Sequence, residues 1–418
     1  MALILGCIAD DYTGATDLAN TLVRRGMRSV QLIGVPAADA DPGDAEAVVV
    51  ALKTRTAPVD DATRRSVAAL RWLREHGARQ FFFKYCSTFD STAHGNIGPV
   101  ADALLDALGE TFTIACPAFP TNARTVYHGH LFVADRLLSE SGMKDHPLTP
   151  MRDPDLVRVL GRQTPGRVGL IEQAVVARGA DAVAAACASL QAAGFRHAVV
   201  DAISDRDLLT IAAAARDLKL LTGASGLALG LPRNYRRAGL IGRAERPAPP
   251  RIRGRRAVLA GSCSPATRSQ LDRARRHWPC LDLDPVRLAR GGADEALAWA
   301  AERPADTPII ICSSAAPEQV TRVQARLGPR AGEIVEAAFG RIARGLLEIG
   351  VGQLVVAGGE TSGAVVEALG IRALRIGPEI DPGVPWCETI AGPPLALALK
   401  SGNFGAEDFL LKAFEGLP

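Results

Sequence analysis

The chain has 418 residues, of which 48% are hydrophobic and 22% charged, and its formal net charge is +3. This length exceeds that of one ordinary core, so two domains are expected, and the composition is typical of a soluble globular protein and not of a disordered one. The small net charge, the absence of a lysine-rich block and an aromatic content of 5% argue against a nucleic-acid partner.

The N-terminal segment MALILGCIADDYTGA lacks a basic leader and is interpreted as a first core strand, not as a signal peptide. No apolar stretch is long enough to span a bilayer, so no membrane partner is expected and a cytoplasmic location is predicted. The eight cysteines contain no CxxC pair. They predict neither a zinc knuckle nor a disulfide framework, and most are expected to be small buried apolar residues.

Apolar runs of strand length alternate with amphipathic helical stretches along residues 1–242, as in LILGCIA before TGATDLANTLVRRG. Such alternation predicts a mostly parallel sheet flanked by helices. The segment 243–256 is rich in proline and arginine and predicts a linker. Beyond it the alternation restarts with AVLAGSC, PIIICSSA and LVVAGG. The fold class is therefore predicted as α/β with two domains, residues 1–242 and residues 257–418.

Ligands of α/β domains bind beyond the carboxyl ends of the strands, so polar residues there are the candidates. Asp10 and Asp11 follow the first strand. Capping the next helix needs one carboxylate only, so a functional role is expected for at least one of the two. Arg55 lies in KTRT, after the strand VVVAL, and its planar fork suits a carboxylate, with a solvated surface cation as the alternative.

The segment KYCSTFDSTAHGNIGP, residues 84–99, follows an aromatic strand and is dense in hydrogen-bonding groups. A functional loop is predicted; the alternative is a helix-capping loop with Thr92 or Asn96 as the cap. The HGH sequence at 128–130 resembles a metal pair but has no third ligand nearby, so no metal site is predicted.

Three turns rich in glycine or serine follow strands of the second predicted domain: GSCSPAT (261–267), GGETSG (358–363) and KSGNFG (400–405). Backbone N–H groups in such turns approach anions closely, and a helix N-terminus adds a positive dipole end. Together the three turns predict a nucleotide site, with Lys400 expected to reach a phosphate. The alternatives are an ordinary tight turn for the glycines and helix capping for the serines.

Five segments in order, ADDYTGATD, KYCSTFDSTAHGNIGP, GSCSPAT, VVAGGETSGAVVEALGI and PLALALKSGNFG, resemble the four-carbon acid sugar kinase family over essentially the whole chain. His94 stands where an arginine is common in that family, a feature that resembles its 3-oxo-tetronate kinase branch. The resemblance implies a sugar-acid-binding N-terminal domain and an ATP-binding C-terminal domain. It implies phosphorylation of the C4 hydroxyl of a 3-oxo-tetronate by ATP, with Mg²⁺ on the nucleotide. A homodimer is the assembly expected if copies of the chain associate.

The resemblance and the strand-end argument together assign roles to the candidates. The residues expected to orient or deprotonate the sugar acid are Asp10, Asp11 and Asp90. Those expected to bind it are Arg55, Lys84, Ser87 and Thr88. Those expected to bind ATP are Ser262, Ser264, Gly358, Gly359, Glu360, Thr361, Gly402 and Asn403.

Three competing functions remain at this stage. A D-threonate or D-erythronate kinase is the main alternative. A sugar-acid dehydrogenase is disfavoured because no strand is followed by GxGxxG with an acid about 20 residues on. A non-catalytic sugar-acid sensor would not need a nucleotide site.

Overall fold

The computed structural model describes residues 3–145, 149–242, 247–288, 292–314 and 331–417. The chain forms two compact units, Met1–Arg246 and Pro247–Pro418. The first four residues of the predicted linker, 243–246, lie outside the described residues, and the domain limits stay a prediction. No helix in the described ranges has the length and apolar character needed to cross a membrane.

The first unit is built on a parallel sheet. Its strands are β1 (Leu5–Ala9), β2 (Ser29–Ile33), β3 (Ala47–Ala51), β4 (Gln80–Lys84), β5 (Thr113–Cys116), β6 (Arg124–Tyr127), β7 (His130–Val133), β8 (Arg136–Leu137), β9 (Arg167–Ile171), β10 (Phe195–Val200) and β11 (Leu220–Gly223). The sheet order is β2-β3-β1-β4-β11-β5-β10-β9, with every pair parallel. Strands β6, β7 and β8 form a small antiparallel sheet.

Helices connect these strands. They are α1 (Tyr12–Arg24), α2 (Val59–Glu75), α3 (Ile97–Leu108), α4 (Leu156–Gly161), α5 (Gln173–Val176), α6 (Ala180–Ala192), α7 (Asp205–Ala214) and α8 (Leu231–Arg237). Every residue of β1 and of β3 is buried. A parallel sheet covered on both faces requires such continuous apolar strands, which is why they read as uninterrupted hydrophobic runs.

The second unit is a mixed sheet. Its strands are β12 (Arg255–Ala260), β13 (Cys280–Asp282), β14 (Ile309–Cys312), β15 (Val351–Ala357), β16 (Ala373–Asp381), β17 (Val384–Ala391) and β18 (Ala396–Lys400). Its helices are α9 (Pro265–Ala274), α10 (Pro285–Leu288), α11 (Gly292–Ala301), α12 (Ala331–Glu348), α13 (Gly359–Ala368) and α14 (Phe409–Ala413). The strand order is β13-β14-β12-β15-β18-β17-β16. The α/β class with mostly parallel sheets is confirmed.

The antiparallel hairpin of β16 and β17 is absent from the sequence prediction. A signal was present, because the tripeptide Asp381-Pro382-Gly383 stands between two apolar runs and is a turn sequence. Gly383 has a φ of 81°, a conformation that few other residues adopt readily.

Strand register brings the predicted polar residues to one edge within each unit. In the first unit Ala9 pairs with Ala51 on one side and Lys84 on the other. In the second unit Ala357 pairs with Ala260 and Lys400. All these pairings are parallel, so the segments that follow the strands emerge at the same carboxyl edge.

Candidate functional site

The guanidinium of Arg55 lies at the centre of the polar cluster in the first unit. Its Nε and Nη2 donate to the two carboxylate oxygens of Asp10 at 2.9 and 2.8 Å. Nη2 also donates to Oδ1 of Asp11 at 2.7 Å, and Nη1 lies 3.7 Å from Oδ2 of Asp90. The structure thus brings the three predicted carboxylates around one cation. A bidentate arginine fixes the plane of the Asp10 carboxylate as well as its position.

Asp11 caps helix α1, as the capping alternative predicted for one of the two aspartates. Its Oδ2 accepts from the backbone N–H of Gly14 at 3.1 Å and from Oγ1 of Thr13 at 2.8 Å. Burial acts to raise the pKa of Asp11, but the charges of Arg55 and Lys84 and these two hydrogen bonds outweigh it and hold the pKa at about 2. Asp11 is therefore an ionised structural anion at neutral pH.

Asp10 has a different environment. It is buried, and its two carboxylate oxygens accept from the guanidinium of Arg55. Burial raises the pKa of Asp10 above its ordinary value, the charge of Arg55 acts against that rise, and the charge of Asp11 adds to it. Neighbouring carboxylates whose pKa values are shifted in opposite directions are suited to different roles. Asp10 is the better candidate for a proton acceptor.

Lys84 ends β4 and is 3% exposed. Its Nζ donates to the backbone oxygen of Tyr85 at 2.9 Å. A Cβ placed on Gly14 would lie 2.8 Å from this Nζ and would overlap Oδ1 of Asp11. A side chain at position 14 would therefore displace the ammonium of Lys84 and the capping carboxylate of Asp11 from the first turn of α1. The sequence reasoning passed over this glycine, although its place in DDYTG at a strand-to-helix turn was the available signal.

The segment that follows β4 holds the remaining candidates. Thr88 is buried and its Oγ1 donates to Oδ1 of Asp90 at 2.5 Å, whereas Ser87 is half-buried. Asn96 lies at the N-cap position of α3, but its side chain makes no capping bond there, so the alternative that Asn96 is a side-chain cap is wrong. Its Nδ2 instead donates to the backbone oxygens of Thr54 and Ala57 at 2.7 and 2.8 Å. Asn96 thereby fixes the turn that carries Arg55.

The HGH sequence forms the turn between β6 and β7. The backbone N–H groups of His128 and Gly129 donate to the carboxylate of Asp201 at 2.7 and 2.8 Å, and Tyr127 pairs with His130 across the turn. Both turn residues have positive φ, 46° and 72°. This geometry explains the glycine without reference to a metal.

Three turns meet at the carboxyl edge of the second unit. Oγ of Ser264 donates to the backbone oxygen of Gly402 at 2.5 Å, and it also accepts from the N–H of Thr267, capping α9. The N–H of Ser262 donates to the oxygen of Ala357 at 3.2 Å, and that of Gly358 to the oxygen of Lys400 at 2.8 Å. Each turn is thus held against another by a direct hydrogen bond.

Glycine is required where these turns touch. A Cβ on Gly402 would overlap Oγ of Ser262, and a Cβ on Gly358 would lie 3.1 Å from the N–H nitrogen of Ser262. Gly358 also has a φ of 126°, which side chains rarely tolerate. At Gly358 the backbone conformation and the approach of Ser262 therefore exclude larger residues, whereas a side chain at position 402 would displace the hydroxyl of Ser262.

Helix α13 begins at this junction without a side-chain cap, because its N-cap residue is Gly358. Gly359 and Glu360 in the first turn are exposed and Thr361 is buried. First-turn amides of a helix need a partner from outside it, and an anion is a favourable one. Asn403 is also exposed. These features fit the predicted phosphate role, which stays a prediction for each residue.

Lys400 does not extend toward an open site, so the expectation that it reaches a phosphate is wrong. Its side chain is 0% exposed, and Nζ lies 3.0 to 3.1 Å from Oγ1 of Thr267 and from the backbone oxygens of Ser401, Gly402 and Phe404. Burial lowers the pKa of Lys400 to about 7. The lysine holds the 400–404 turn from beneath.

This burial predicts a pH-dependent stability. Unfolded Lys400 has a pKa of about 10.4, above the folded value of about 7. Between these values the unfolded chain binds more protons, so the free energy of unfolding rises with pH. Below pH 7 Lys400 is protonated in both states, and the full cost of burying its charge is present. Relative to Lys400→Met, the wild-type unfolding free energy should rise from pH 7 to 10 by up to about 4 kcal/mol. Urea unfolding at several pH values measures this difference; a constant difference would contradict it, and Lys219→Met in the first unit is the control.

Comparisons with known proteins assign sugar binding to the first unit and nucleotide binding to the second. The sugar-binding N-terminal domain family matches residues 5–231, and the nucleotide-binding C-terminal domain family matches residues 257–410. A Burkholderia multivorans relative named 3-oxo-tetronate kinase is 59% identical over 418 residues, covering 99% of this chain and 97% of its own length. A Cupriavidus necator relative of the same name is 58% identical over 421 residues, with the same coverage.

A solved structure from Salmonella typhimurium LT2 has the same fold, with a TM-score of 0.89, 44% identity and 99% coverage of both chains. It bears a provisional tRNA synthase name. The Burkholderia and Cupriavidus relatives are more similar in sequence and bear the kinase name.

The chain thus has a sugar-binding domain with carboxylates at its strand ends and a nucleotide-binding domain with glycine turns at its strand ends. With the names of the relatives, this defines a sugar-acid kinase. The chain belongs to the four-carbon acid sugar kinase family, in its 3-oxo-tetronate kinase branch. The resemblance seen in the sequence is thereby confirmed.

Proposed function

We propose that the chain transfers the γ-phosphoryl group of ATP to the C4 hydroxyl of a 3-oxo-tetronate, giving the 4-phosphate and ADP. Full-length identity of 55–59% to several relatives named 3-oxo-tetronate kinase is the observation that carries this function. In the reaction the C4 oxygen forms a bond to the γ-phosphorus. The bond between the γ-phosphorus and the oxygen bridging it to the β-phosphate breaks, and the hydroxyl proton leaves.

Asp10 is proposed to accept that proton. Its pKa is raised, and Arg55 fixes its plane through two hydrogen bonds. A general base is most effective when its pKa lies near the working pH. Asp90, which also lies beside Arg55 and is held by Thr88, is proposed to orient the sugar acid.

The carboxylate of the substrate is proposed to bind near Lys84. Three carboxylates surround Arg55, and its Nε and Nη2 already donate to Asp10 and Asp11. Lys84 lies instead at the first turn of α1, whose dipole adds positive potential. If Arg55 also binds the substrate carboxylate, as the sequence predicted, only its Nη1 is available for that bond.

ATP is proposed to bind at the junction of the turns 261–264, 358–361 and 400–403. The uncapped first turn of α13 offers N–H groups to phosphate oxygens. Mg²⁺ commonly binds through phosphates, waters and one carboxylate, and Glu360 is the carboxylate on this turn. Bound there, the ion would neutralise phosphate charge. A cytoplasmic location and a homodimer stay predictions.

A substrate panel tests the function. ADP release should be fastest with a 3-oxo-tetronate and slower with the D- and L-isomers of threonate and erythronate, and the product should carry its phosphate on C4. A higher kcat/KM for threonate or erythronate would assign the chain to that neighbouring activity instead. ATP use with none of these acids would argue for a non-catalytic role.

Replacing Lys84 with methionine tests the carboxylate assignment. Loss of a charge-assisted bond should raise the KM for the sugar acid about 10–100-fold and leave the KM for ATP nearly unchanged. Lys53→Met is the matched control, because Lys53 is an exposed cation two residues from Arg55. Steady-state kinetics with each substrate varied in turn gives both constants. Equal rises in both would indicate a structural role for Lys84.

A further inference from the structure

Two cysteines that lie 32 positions apart in the sequence meet in the second unit. Sγ of Cys280 on β13 lies 3.8 Å from Sγ of Cys312 on β14. In the register Cys280 pairs with Ile310 and Asp282 with Cys312, so the two cysteines are diagonal neighbours on one face of the sheet. The sequence predicted no cysteine pair, because the two belong to different strands and no CxxC spacing connects them.

The surroundings of the pair favour thiol chemistry. Sγ of Cys312 donates to Oδ1 of Asp282 at 3.0 Å, and Nη2 of Arg275 lies 3.2 Å from that oxygen and 4.0 Å from Sγ of Cys312. Cys280 is half-buried and Cys312 is fully buried. The contact with Sγ of Cys312 lowers the pKa of Cys280, burial and the charge of Asp282 act to raise it, and the charge of Arg275 adds to the lowering. A half-buried thiol within 3.8 Å of a second, buried thiol is the arrangement of redox-sensitive pairs.

We propose that Cys280 and Cys312 are a reversible redox pair that peroxides convert to an intramolecular disulfide. The Cys280 thiolate attacks one oxygen of hydrogen peroxide, the O–O bond breaks, and Cys280 sulfenic acid and hydroxide form. The Cys312 sulfur then displaces hydroxide from the sulfenic sulfur, its thiol proton leaves with that hydroxide as water, and the S–S bond forms. Two electrons pass from the two thiols to the peroxide, and an external dithiol reverses the step.

Closing the bond moves the sulfurs from 3.8 Å to about 2.05 Å. Diagonal neighbours have Cα atoms about 7–8 Å apart, and a disulfide spans about 4.4–6.8 Å, so the backbone of β13, a three-residue strand at the edge of its sheet, has to move. Cys312 is connected through two residues and one hydrogen bond to the 261–264 turn, which is one of the turns proposed to bind ATP. Cys312 is followed by Ser313 and Ser314, and Oγ of Ser314 donates to the backbone oxygen of Ser262 at 2.6 Å. Oxidation is therefore expected to weaken ATP binding, a consequence that rests on the proposed function.

The full chain is treated with hydrogen peroxide, and mass spectrometry of its peptides identifies the bonded residues. A Cys280–Cys312 disulfide that dithiothreitol reverses is expected. Cys312→Ser should leave Cys280 as sulfenic or sulfinic acid, Cys280→Ser should abolish the disulfide, and Cys187→Ser, on α6 of the first unit, should leave it unchanged. Arg275→Met should slow the reaction and Arg275→Lys should restore its rate.

The outcomes separate this inference from the kinase assignment, because the mass readout does not depend on activity. Failure of the disulfide to form, or its formation with another cysteine, overturns the redox pair. The oxidised enzyme should show a KM for ATP raised about threefold or more, within the range of couplings between neighbouring elements. An unchanged KM in a fully oxidised sample overturns the coupling to Ser262. A last outcome is that zinc protects Cys312 from hydrogen peroxide and that Cys280→Ser abolishes this protection. That result would show that the two thiols bind metal and would overturn the redox assignment.

Discussion

Replacing Asp10 with asparagine should lower kcat by about 10²–10⁴-fold, the usual contribution of a positioned general base. The amide has the shape of the carboxylate but cannot accept a proton at the working pH. It also cannot accept both of the hydrogen bonds that Arg55 gives to Asp10. The KM for ATP should change little, because the ATP turns belong to the other unit.

Asp11→Asn is the matched comparison, and it should behave differently. Asparagine caps helices about as well as aspartate, so this change should keep the α1 cap and spare the proton acceptor. Removing the Asp11 charge also lowers the pKa of Asp10, since that charge raises it. A base works only when deprotonated, so the acid limb of the kcat/KM profile should move to lower pH. Stopped assays from pH 4 to 8 measure this shift.

Two results would remove Asp10 from the catalytic role. One is an Asp10→Asn enzyme whose kcat stays within tenfold of the wild type at an unchanged melting temperature. The other is an Asp11→Asn profile whose acid limb moves to higher pH. Asp90 would then be the next candidate, because it lies beside the same guanidinium and accepts from Thr88.

The edges that carry both sites could be predicted because strand ends are visible in the sequence. A fully buried parallel strand reads as an apolar run, so the residue after it is known to lie at the carboxyl edge. Asp10, Asp11, Arg55 and Asp90 were found in this way and are connected in the structure. The sequence could not show that Arg55 binds the aspartates themselves, since partner choice depends on side-chain reach across strands.

The direction of a side chain at the end of a strand or the start of a helix could not be predicted from the sequence. Lys400 follows an apolar run, where a lysine is normally solvated, yet its ammonium lies in the interior among uncharged oxygens. Asn96 has the residue type and position of a helix cap but donates to the neighbouring turn instead. In both cases long-range backbone acceptors decide the outcome, and they are not local to the motif.

Replacing Gly402 with alanine should raise the KM for ATP about 10–100-fold, because displacement of binding groups by about 1 Å has effects of this size. The added Cβ would overlap Oγ of Ser262 and lie 3.1 Å from Oγ of Ser264. The Ser262 hydroxyl, which accepts from the N–H of Ser264 at 3.2 Å, or one of the two turns must then move. The bond from Ser264 to the oxygen of Gly402 would be strained by the same movement.

Gly332→Ala is the control for this prediction, since Gly332 lies in α12 of the same unit and its Cβ would meet only the end of the Glu336 side chain at 3.8 Å. This variant should keep wild-type constants, because alanine is favoured in helices. In Gly402→Ala the KM for the sugar acid should stay near wild type, as its proposed ligands lie in the first unit. Calorimetric titration with ATP and with the sugar acid, made separately, resolves the two affinities. An unchanged ATP affinity would place the nucleotide away from these turns, whereas a loss of both affinities would indicate that the chain had failed to fold.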